Sequence, residues 1–390
     1  MKKTVFFLAV LLLLTQCKTG NSKQEAGKMA EIDISQNYPE REMFLQDIAK
    51  VEYIPLETND STLVGRSQTV YVSDNYIIVT DFRQGDIFVF DGKGKSKFSF
   101  NRKGQSGTEY TNLSAVAFDE KAREIFVSNR YVAEPKFLVY SEDGQFKRSL
   151  PFPPDYAPRD VYSFDDETLL VYDEFGLSYE KYSKTPYLLI SKKDGSVLDT
   201  VDIHLPVRVS NRFNVEVEVN GQKATQPIML SITNNRSYGK NFLISDWSSD
   251  TIYRLTPQKE LQPVIVRKPS VQSSDPKTVL SNELVTDKYI FLAKAVFDFE
   301  MVKRSQSFPT SSLVYDFETG QLNECSLYNK DMGGVSFDMA ITPENTGVYT
   351  LDVPMLFELD KAGRIKGELK ELLQTLDEED NPVLVKVTFF

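Results

Sequence analysis

Two short runs, YIIVTD (76–81) and DIFVFDGKG (86–94), carry the pattern that decides the fold. Each run is rich in β-branched and aromatic residues, and each ends in a turn-forming Asp or Gly. The pattern recurs as EIFVSN (124–129) with KFLVYSEDG (136–144), TLLVYD (168–173) with YLLISKKDG (187–195), NFLISD (241–246) with TIYRLTPQK (251–259), YIFLAK (289–294) with SLVYDFETG (312–320), and GVYTLD (347–352) with LFELDKAG (356–363). Paired runs of this kind predict successive antiparallel strands.

The spacing of the repeat predicts the architecture. The turn that ends each second run recurs 43 to 64 residues apart, at Gly94, Gly144, Gly195, Lys259, Gly320 and Gly363. Repeats of about 40–50 residues with four strands each are typical of propeller blades. We therefore predict an all-β, six-bladed β-propeller over residues 31–390. A two-domain β-sandwich is disfavoured, because sandwich strands would not repeat the same order of loop and turn six times.

The two ends of the repeat predict how the ring closes. VEYIPL (51–56) and VLVKV (383–387) are the candidate closing strands, which would pair within one blade and join the chain ends without a disulfide. Helical spacing is convincing at one place only, where Leu369, Leu372, Leu373 and Leu376 predict a short C-terminal helix.

The N-terminus predicts export and a lipid anchor. Lys2 and Lys3 precede an apolar run of ten residues (5–14), which is too short to cross a bilayer as a helix. LTQC (14–17) resembles a bacterial lipobox, although Gln16 replaces the usual small residue. We expect a signal peptide over residues 1–16, lipidation of Cys17 and a flexible tether over 17–30. An ordinary secretory peptide cut elsewhere is the alternative.

Composition excludes several classes of function. The 390 residues carry a formal net charge of −11, which argues against nucleic acid as a partner. One histidine, His204, and two cysteines are too few for a His/Cys metal cluster. With Cys17 acylated, Cys325 would be alone, so no internal disulfide is expected.

Four local stretches resemble a known family. They are VEYIPLET (51–58), KGQSGTEY (103–110), the repeated FDGKG-like turn, and LKELLQTLDEEDNPVLVKV (369–387). Together they resemble the six-bladed β-propeller lipoproteins of Bacteroidetes, distant relatives of NHL-type propellers. Ser106, Thr108 and the irregular segment 296–310 depart from that pattern. The resemblance implies a propeller, a lipid anchor and a cell-envelope location in the outer membrane. It does not indicate whether the protein faces the periplasm or the cell surface. It implies no enzymatic activity and no cofactor.

A series of acidic and amide side chains suggests a metal site. In five of the six units the first of the two paired runs ends in an Asp or Asn. These residues are Asp81, Asn129, Asp173, Asp246 and Asp352. Equivalent positions of a propeller lie on a circle, so these oxygens could bind Ca²⁺. The favoured alternative is that each side chain ends its strand in an Asx turn by accepting backbone N–H groups.

A second group suggests a ligand-binding surface. Trp247 follows Asp246 in a connecting loop, where its ring could stack on a sugar, and aromatic residues of equivalent loops, Tyr131, Phe175 and Tyr179, could join it. Arg83, Arg130 and Arg236 could meet an anionic ligand. The favoured alternative for Trp247 is packing against the adjacent blade.

Three further stretches stand out. The loop 174–186 is longer than its counterparts, and long loops inside a repeat are often functional. SNRFNVEVEVNGQKATQ (210–226) alternates and contains Asn-Gly, which predicts a hairpin between the third and fourth units. The Gly-rich turn at 104–110 lacks the Lys-Ser/Thr of a phosphate loop, so a tight connection between blades is favoured.

Two functions remain open. The first is a membrane-anchored, non-enzymatic binding or scaffold protein that engages a glycan, a peptide or an envelope protein. The alternative is a calcium-dependent hydrolase or lyase that uses the Asp/Asn ring. The first is favoured because the Asx turn already explains the ring.

Overall fold

An N-terminal segment runs along the outside of the molecule before the first blade. The computed structural model describes residues 29–65, 67–130, 132–152, 156, 158–173, 186–203, 205, 208–210, 212–219, 222–229, 235–305 and 308–390. The segment consists of β1 (Ala30–Asp33), β2 (Glu40–Phe44), helix α1 (Leu45–Ile48) and β3 (Ala49–Pro55). Ala30, the last residue of the predicted tether, is thus already part of a strand and is buried. The predicted signal peptide and Cys17 lie outside the described residues.

Three regular four-stranded blades follow. Blade 1 contains β4 (Gln68–Val72), β5 (Tyr76–Asp81), β6 (Asp86–Asp91) and β7 (Ser96–Asn101); blade 2 contains β8 (Val116–Asp119), β9 (Glu124–Asn129), β10 (Lys136–Ser141) and β11 (Phe146–Pro151); blade 3 contains β12 (Asp160–Ser163), β13 (Thr168–Tyr172), β14 (Tyr187–Ser191) and β15 (Val197–Val201). In each blade the strands pair in sequence order. The paired runs of the sequence are the second and third strands, which bury both faces between neighbouring blades.

The predicted hairpin separates blade 3 from blade 4. It is formed by the antiparallel strands β16 (Arg212–Val219) and β17 (Gln222–Met229). Blade 4 contains β18 (Arg236–Tyr238), β19 (Asn241–Ile244), β20 (Thr251–Leu255) and β21 (Leu261–Lys268). β1 pairs in parallel with β21 and covers the outer edge of this blade.

Blade 5 also gains an outer strand from the N-terminal segment. It contains β22 (Thr278–Val285), β23 (Tyr289–Val296), helix α2 (Phe299–Ser305), β24 (Thr310–Asp316), β25 (Gln321–Asn329) and the short β26 (Gly333–Gly334). β2 pairs in parallel with β25, and β26 pairs with the end of β25. The irregular segment noted in the sequence therefore contains a helix. Since an open sheet edge invites pairing with other chains, the N-terminal segment protects two outer edges.

Blade 6 closes the ring. Its elements are β27 (Thr346–Leu351), helices α3 (Val353–Lys361) and α4 (Gly367–Leu373), and β28 (Val383–Phe389). β28 pairs with β27 on one side and with β3 on the other, where Val383 lies opposite Pro55 and Val387 opposite Val51. The prediction of a six-bladed propeller closed by its terminal strands is confirmed.

Of the two helices of blade 6, the sequence predicts one as a helix and the other, wrongly, as a strand. α4 confirms the predicted C-terminal helix. LFELDKAG (356–363), predicted as a strand, lies mostly in α3. Asp352 caps this helix, since its Oδ1 accepts a hydrogen bond from the backbone N of Met355 at 3.1 Å, and Pro354 lies in the first turn. Among the described residues, no helix is long and apolar enough to span a membrane.

The hydrophobic core is divided among the interfaces between blades. Within the described residues, one buried apolar cluster lies between each pair of neighbouring blades, including blades 6 and 1, where Leu384 packs with Phe88. A further cluster lies beneath the hairpin. Because each blade buries both faces against its neighbours, the ring is stabilised as a whole.

The ring has two faces of different character. One face is formed by the turns that join the first strand to the second and the third strand to the fourth, such as 73–75 and 92–95 in blade 1. We call it the turn face. The loop face is formed by the connections between second and third strands and between successive blades. The hairpin, α2, α3 and α4 all lie in connections of the loop face. Elaboration is therefore concentrated on one side.

Candidate functional site

A central channel of about 510 Å³ runs between the innermost strands. Most of its described lining comes from the first strands of blades 1 to 4 and from the residues that flank them. Phe82 after β5, residues 241–242 of β19 and residues 339 and 341–343 of blade 6 complete it. Aromatic side chains contribute to the wall, including Tyr71, Phe118, Tyr162, Phe164 and Phe242. The volume lies in the range of small-molecule sites, which commonly combine apolar walls with a few polar groups.

An inner segment of blade 6, residues 338–343, shapes one side of the channel. Its backbone pairs with blade 1, since Val72 N donates to Ile341 O at 2.8 Å and Ile341 N donates to Val70 O at 3.0 Å. On the other side the segment meets blade 4, where Ser237 Oγ donates to Thr342 O at 2.9 Å. Among the described lining residues, none belongs to blade 5. The inner segment thus bridges blades 4 and 1 and separates blade 5 from the channel.

A buried arginine holds the inner segment. Arg236 is 5% exposed, and its Nη1 donates to the backbone oxygen of Asp338. Desolvation lowers the pKa of Arg236 to about 10, and Glu283 and Asp338 act in the opposite direction as nearby carboxylates. Burial raises the pKa of both Glu283 and Asp338 above the ordinary range. Arg236, which the sequence suggested as an anion-binding residue, is therefore part of the packing around the inner segment.

Opposite charges stand at the turn-face end of the channel. Glu120 accepts hydrogen bonds from Tyr71 Oη and Asn75 Nδ2, both at 2.8 Å. Burial alone would raise the pKa of Glu120, but the hydrogen bonds from Asn75, Ser73 and Tyr71 lower it below the usual value. Lys240, in the turn between β18 and β19, lines the same cavity and is exposed. This end therefore carries a fixed carboxylate and an ammonium group.

A buried polar network lies near the loop-face end, where Arg159 and Asp160 line the channel. Arg208 Nη2 donates to Tyr172 Oη at 2.9 Å, and Tyr172 Oη donates to Asp246 Oδ2 at 3.1 Å. Desolvation, with the nearby carboxylate of Asp246, raises the pKa of Tyr172 well above 10. The tyrosine stays protonated and serves as a hydrogen-bonding link between blades 3 and 4.

The Asp/Asn series does not converge on one point. Asp81 Oδ1 accepts from the backbone N of Arg83 at 2.8 Å, and Asp246 Oδ1 accepts from Ser248 N at 2.7 Å. Asn129 Oδ1 accepts from the backbone N of Thr111 at 3.2 Å. Asp352 caps α3, and Asp173 lies at the end of β13, where its backbone oxygen accepts from Arg208 at 3.2 Å. Within the part of the chain that the structure describes, no three His, Cys, Asp or Glu residues are grouped to hold a metal ion.

Trp247 is not an exposed stacking surface. Its side chain is 7% exposed and packs in the cluster beneath the hairpin, with its ring centroid 5.9 Å from that of Phe297. Val215 and Val217 of β16 belong to the same cluster. Of the two interpretations of Trp247, the burial supports the favoured one, packing, and not sugar stacking, because the hairpin supplies an apolar cover for the ring.

The other predicted ligand residues lie on the loop face. Arg83 is exposed and Arg130 is half-buried, and both are in connections between second and third strands. Neither lines the channel as described. Tyr131, Phe175 and Tyr179 lie outside the described residues, as do His204 and most of the loop 174–186.

The Gly-rich turn at 104–110 connects blades 1 and 2. Tyr110 is fully buried, and its hydroxyl donates to Gly85 O at 2.6 Å and accepts from Arg102 N at 2.9 Å. Glu109 Oε2 accepts from Ser106 N at 2.9 Å. These contacts are those of a tight connection between blades.

The charged residues of the channel were not singled out from the sequence. Glu120, Arg159, Asp160 and Lys240 all lie at the ends of first strands, whereas the sites predicted from the sequence lie at the ends of second strands. The available signal was the order of strands within each unit, because the first strand of a blade lies nearest the axis.

Comparison with known proteins agrees with the fold. The model of a family described as Domain of unknown function (DUF4934) matches residues 29–388. The sequence matches no curated protein. A Bacteroides fragilis protein, named only as a predicted exported protein, has a similar structure with a TM-score of 0.64 and 18% sequence identity, and the likeness covers 93% of this chain and 100% of that chain. A DUF4221 member from Bacteroides vulgatus has a TM-score of 0.47 and 9% identity, covering 88% of this chain and 97% of that chain.

Proposed function

The chain belongs to the DUF4934 family, and we propose that it is a lipid-anchored binding protein of the cell envelope whose central channel takes up a small polar ligand. The description of the family names no function, so the proposal depends on the chain's own residues. The lipobox-like LTQC (14–17) supports the anchor. The naming of the Bacteroides fragilis protein as exported is consistent with an envelope location.

The channel is the observation that carries the binding role. A cavity of about 510 Å³ is large enough for a small organic molecule, and its wall combines aromatic rings with a held carboxylate. This site replaces the loop aromatics as the proposed place of contact, because the ring of Trp247 is covered. A glycan fragment and a short peptide both remain compatible with such a wall.

The geometry does not favour the calcium-dependent alternative. The side-chain oxygens of Asp81, Asn129, Asp246 and Asp352 each accept hydrogen bonds from backbone N–H groups. For Asp81 and Asp246 these contacts form the turn that ends a strand, and for Asp352 the contact caps α3. For Asn129 the contact ties the end of β9 to Thr111 in the connection between blades 1 and 2. A binding protein is therefore the better supported function.

The binding role can be tested with one channel variant and one matched control. Phe164 lines the channel and is half-buried, whereas Phe146 is 39% exposed on the outer strand of blade 2. Purified protein would be titrated with panels of oligosaccharides and short peptides while its melting temperature is followed. We expect Phe164→Ala to weaken ligand-induced stabilisation and Phe146→Ala to leave it unchanged. A ligand whose hydrogen-exchange protection maps to the loop face, with no effect of Phe164→Ala, would refute the channel as the site.

The anchor is tested separately. Cells expressing the full chain would be labelled with radioactive palmitate and fractionated. We expect label and membrane association in the wild type and loss of both in Cys17→Ala, because an acylated cysteine supplies the attachment. Unchanged labelling of the variant would rule out Cys17 as the anchor.

A further inference from the structure

We infer that the ligand of the channel is a small zwitterion, a free amino acid or short peptide, with its ammonium group at Glu120 and its carboxylate at Lys240. The inference rests on the proposed function, since it names the ligand class of the same cavity. It depends on the balance of charge in the lining, on the contacts of Glu120 and Lys240, and on the aromatic rings near them.

The charged groups of the described lining balance. Glu120 and Asp160 are acidic, and Arg159 and Lys240 are basic, so the formal charge of these lining residues sums to zero. A simple anion or cation would meet a like charge in this cavity, and juxtaposed like charges oppose binding. A molecule that carries both signs can satisfy both kinds of group at once.

The carboxylate of Glu120 is charged and held in a fixed orientation, so it can bind a cation. Its pKa is lowered by hydrogen bonding, so the carboxylate is ionised at neutral pH. Tyr71 and Asn75 each donate to a different oxygen, which fixes the orientation of the group. A carboxylate offers about four acceptor positions, so these two donors together with Ser73 still leave a position for an incoming ammonium group.

Lys240 is the matching cation. The side chain is exposed at the same end of the channel and forms no ion pair with any described residue. It follows Gly239, whose φ of +58° makes the tight turn. The carboxylate of Glu344 lies against Gly239, since a Cβ there would approach its oxygens to 3.0 Å, but Glu344 does not pair with Lys240. The ammonium group is therefore available for a ligand carboxylate.

Aromatic rings stand among the polar groups of the wall near these charges. Phe118 and Phe242 are buried at 2% and 4% exposure, and Phe164 is half-buried at the same end. An aliphatic or aromatic ligand side chain would be removed from water against these rings, which is favourable. We therefore expect a preference for zwitterions with an apolar side chain.

The experiment is calorimetric titration of the purified protein with three probes. They are the dipeptide Ala-Phe with free termini, the same dipeptide acetylated and amidated, and maltose as a neutral sugar. The variants are Lys240→Met and Glu120→Gln, and the control is Lys193→Met, an exposed lysine of the turn face that does not line the channel. Melting temperatures check that each variant is folded.

We expect Ala-Phe to bind with one site, the blocked dipeptide to bind at least about tenfold more weakly, and each channel variant to weaken Ala-Phe by about fivefold to tenfold. Lys193→Met should leave the affinity within about twofold. Equal binding of blocked and free dipeptide, or no binding of Ala-Phe, would overturn the inference. Binding of maltose that Phe164→Ala abolishes and Lys240→Met spares would also overturn it, while leaving the channel as the binding site.

Discussion

Short polar side chains illustrate how a residue type can suggest two different roles. Asp81 and Asp246 stand where metal ligands could stand, yet their Oδ1 atoms accept backbone N–H groups two residues on. The same geometry that makes a carboxylate a good ligand makes it a good turn former. Only the observed partners separate the two roles.

Trp247 allows the first prediction at this scale. Trp247→Ala would leave a large cavity beneath the hairpin and should lower the free energy of unfolding by about 3–5 kcal/mol. Because Trp247 is the single tryptophan of the chain, urea unfolding should be followed by circular dichroism. Trp247→Phe, which keeps an aromatic ring, is the control and should cost less. Equal stability of wild type and Trp247→Ala would contradict the packing role.

Two adjacent lysines give the second prediction. Lys192 is 6% exposed, and its Nζ lies 2.5 Å from Asp119 Oδ2 and donates to Ser163 Oγ at 2.7 Å, which ties blade 3 to blade 2. Lys192→Met would leave Asp119 as a buried, uncompensated charge, so a loss of about 3–5 kcal/mol is expected. Lys193 is exposed, and Lys193→Met should change stability by less than about 0.5 kcal/mol. Similar urea midpoints for both variants would refute this account.

The turns that join the third and fourth strands of a blade can also contact the neighbouring blade. The turn between third and fourth strands has a positive φ in blades 1 to 5, and in blade 4 a lysine, Lys259, adopts it at 65°. A Cβ on Gly94 of blade 1 would lie 2.3 Å from the backbone oxygen of Pro55, the last residue of β3 in blade 6. At Gly320 of blade 5 the nearest atom would be 3.7 Å away. Glycine thus avoids the strain of a positive φ in both turns, but only Gly94 is also required for space.

This difference gives the third prediction. Gly320→Ala should cost about 1–2 kcal/mol, which is the strain of a left-handed alanine. Gly94→Ala has the same strain and must in addition displace β3, so it should cost about 1–3 kcal/mol more. Denaturant unfolding of the two variants in parallel measures the difference. If Gly94→Ala proves no more destabilising than Gly320→Ala, the contact with β3 has no energetic weight.

Helix α3 shows where local patterns compete. LFELDKAG (356–363) matches the strand-and-turn pattern of the other units, but Asp352 and Pro354 immediately before it are helix-start signals. The capping hydrogen bond of Asp352 and the apolar contacts of Leu356 in the core between blades 5 and 6 favour the helix. The repeat therefore predicts the unit correctly and this element wrongly.

At the scale of the whole molecule, the terminal strand β3 completes the ring. Seven residue pairs join β3 to β28, whereas β1 adds a fifth strand to a blade that already has four. A blade 6 without β3 would expose the edge of β28 and open the ring.

Two truncations test this at the level of the fold. Removal of residues up to 35 deletes β1 and should lower the urea midpoint while keeping one cooperative transition. Removal of residues up to 56 also deletes β2 and β3 and should prevent formation of a stable native state, with loss of soluble protein and of the cooperative transition. A cooperative transition with an unchanged midpoint in the longer truncation would show that closure by β3 is dispensable.

The sequence by itself determined the second and third strands of blades 1 to 5, the number of blades, the closing pair and the α4 helix, because these depend on periodicity and turn chemistry within short stretches. The tertiary structure decided the site. Arg236 and Asp338, 102 residues apart, meet where the inner segment crosses in front of blade 5, and Tyr71 reaches Glu120 of the next blade. The burial of Trp247 was likewise decided by a hairpin from a different unit. The local sequence pattern predicts where a strand forms, but the partners of each side chain depend on contacts between segments that are distant in the sequence.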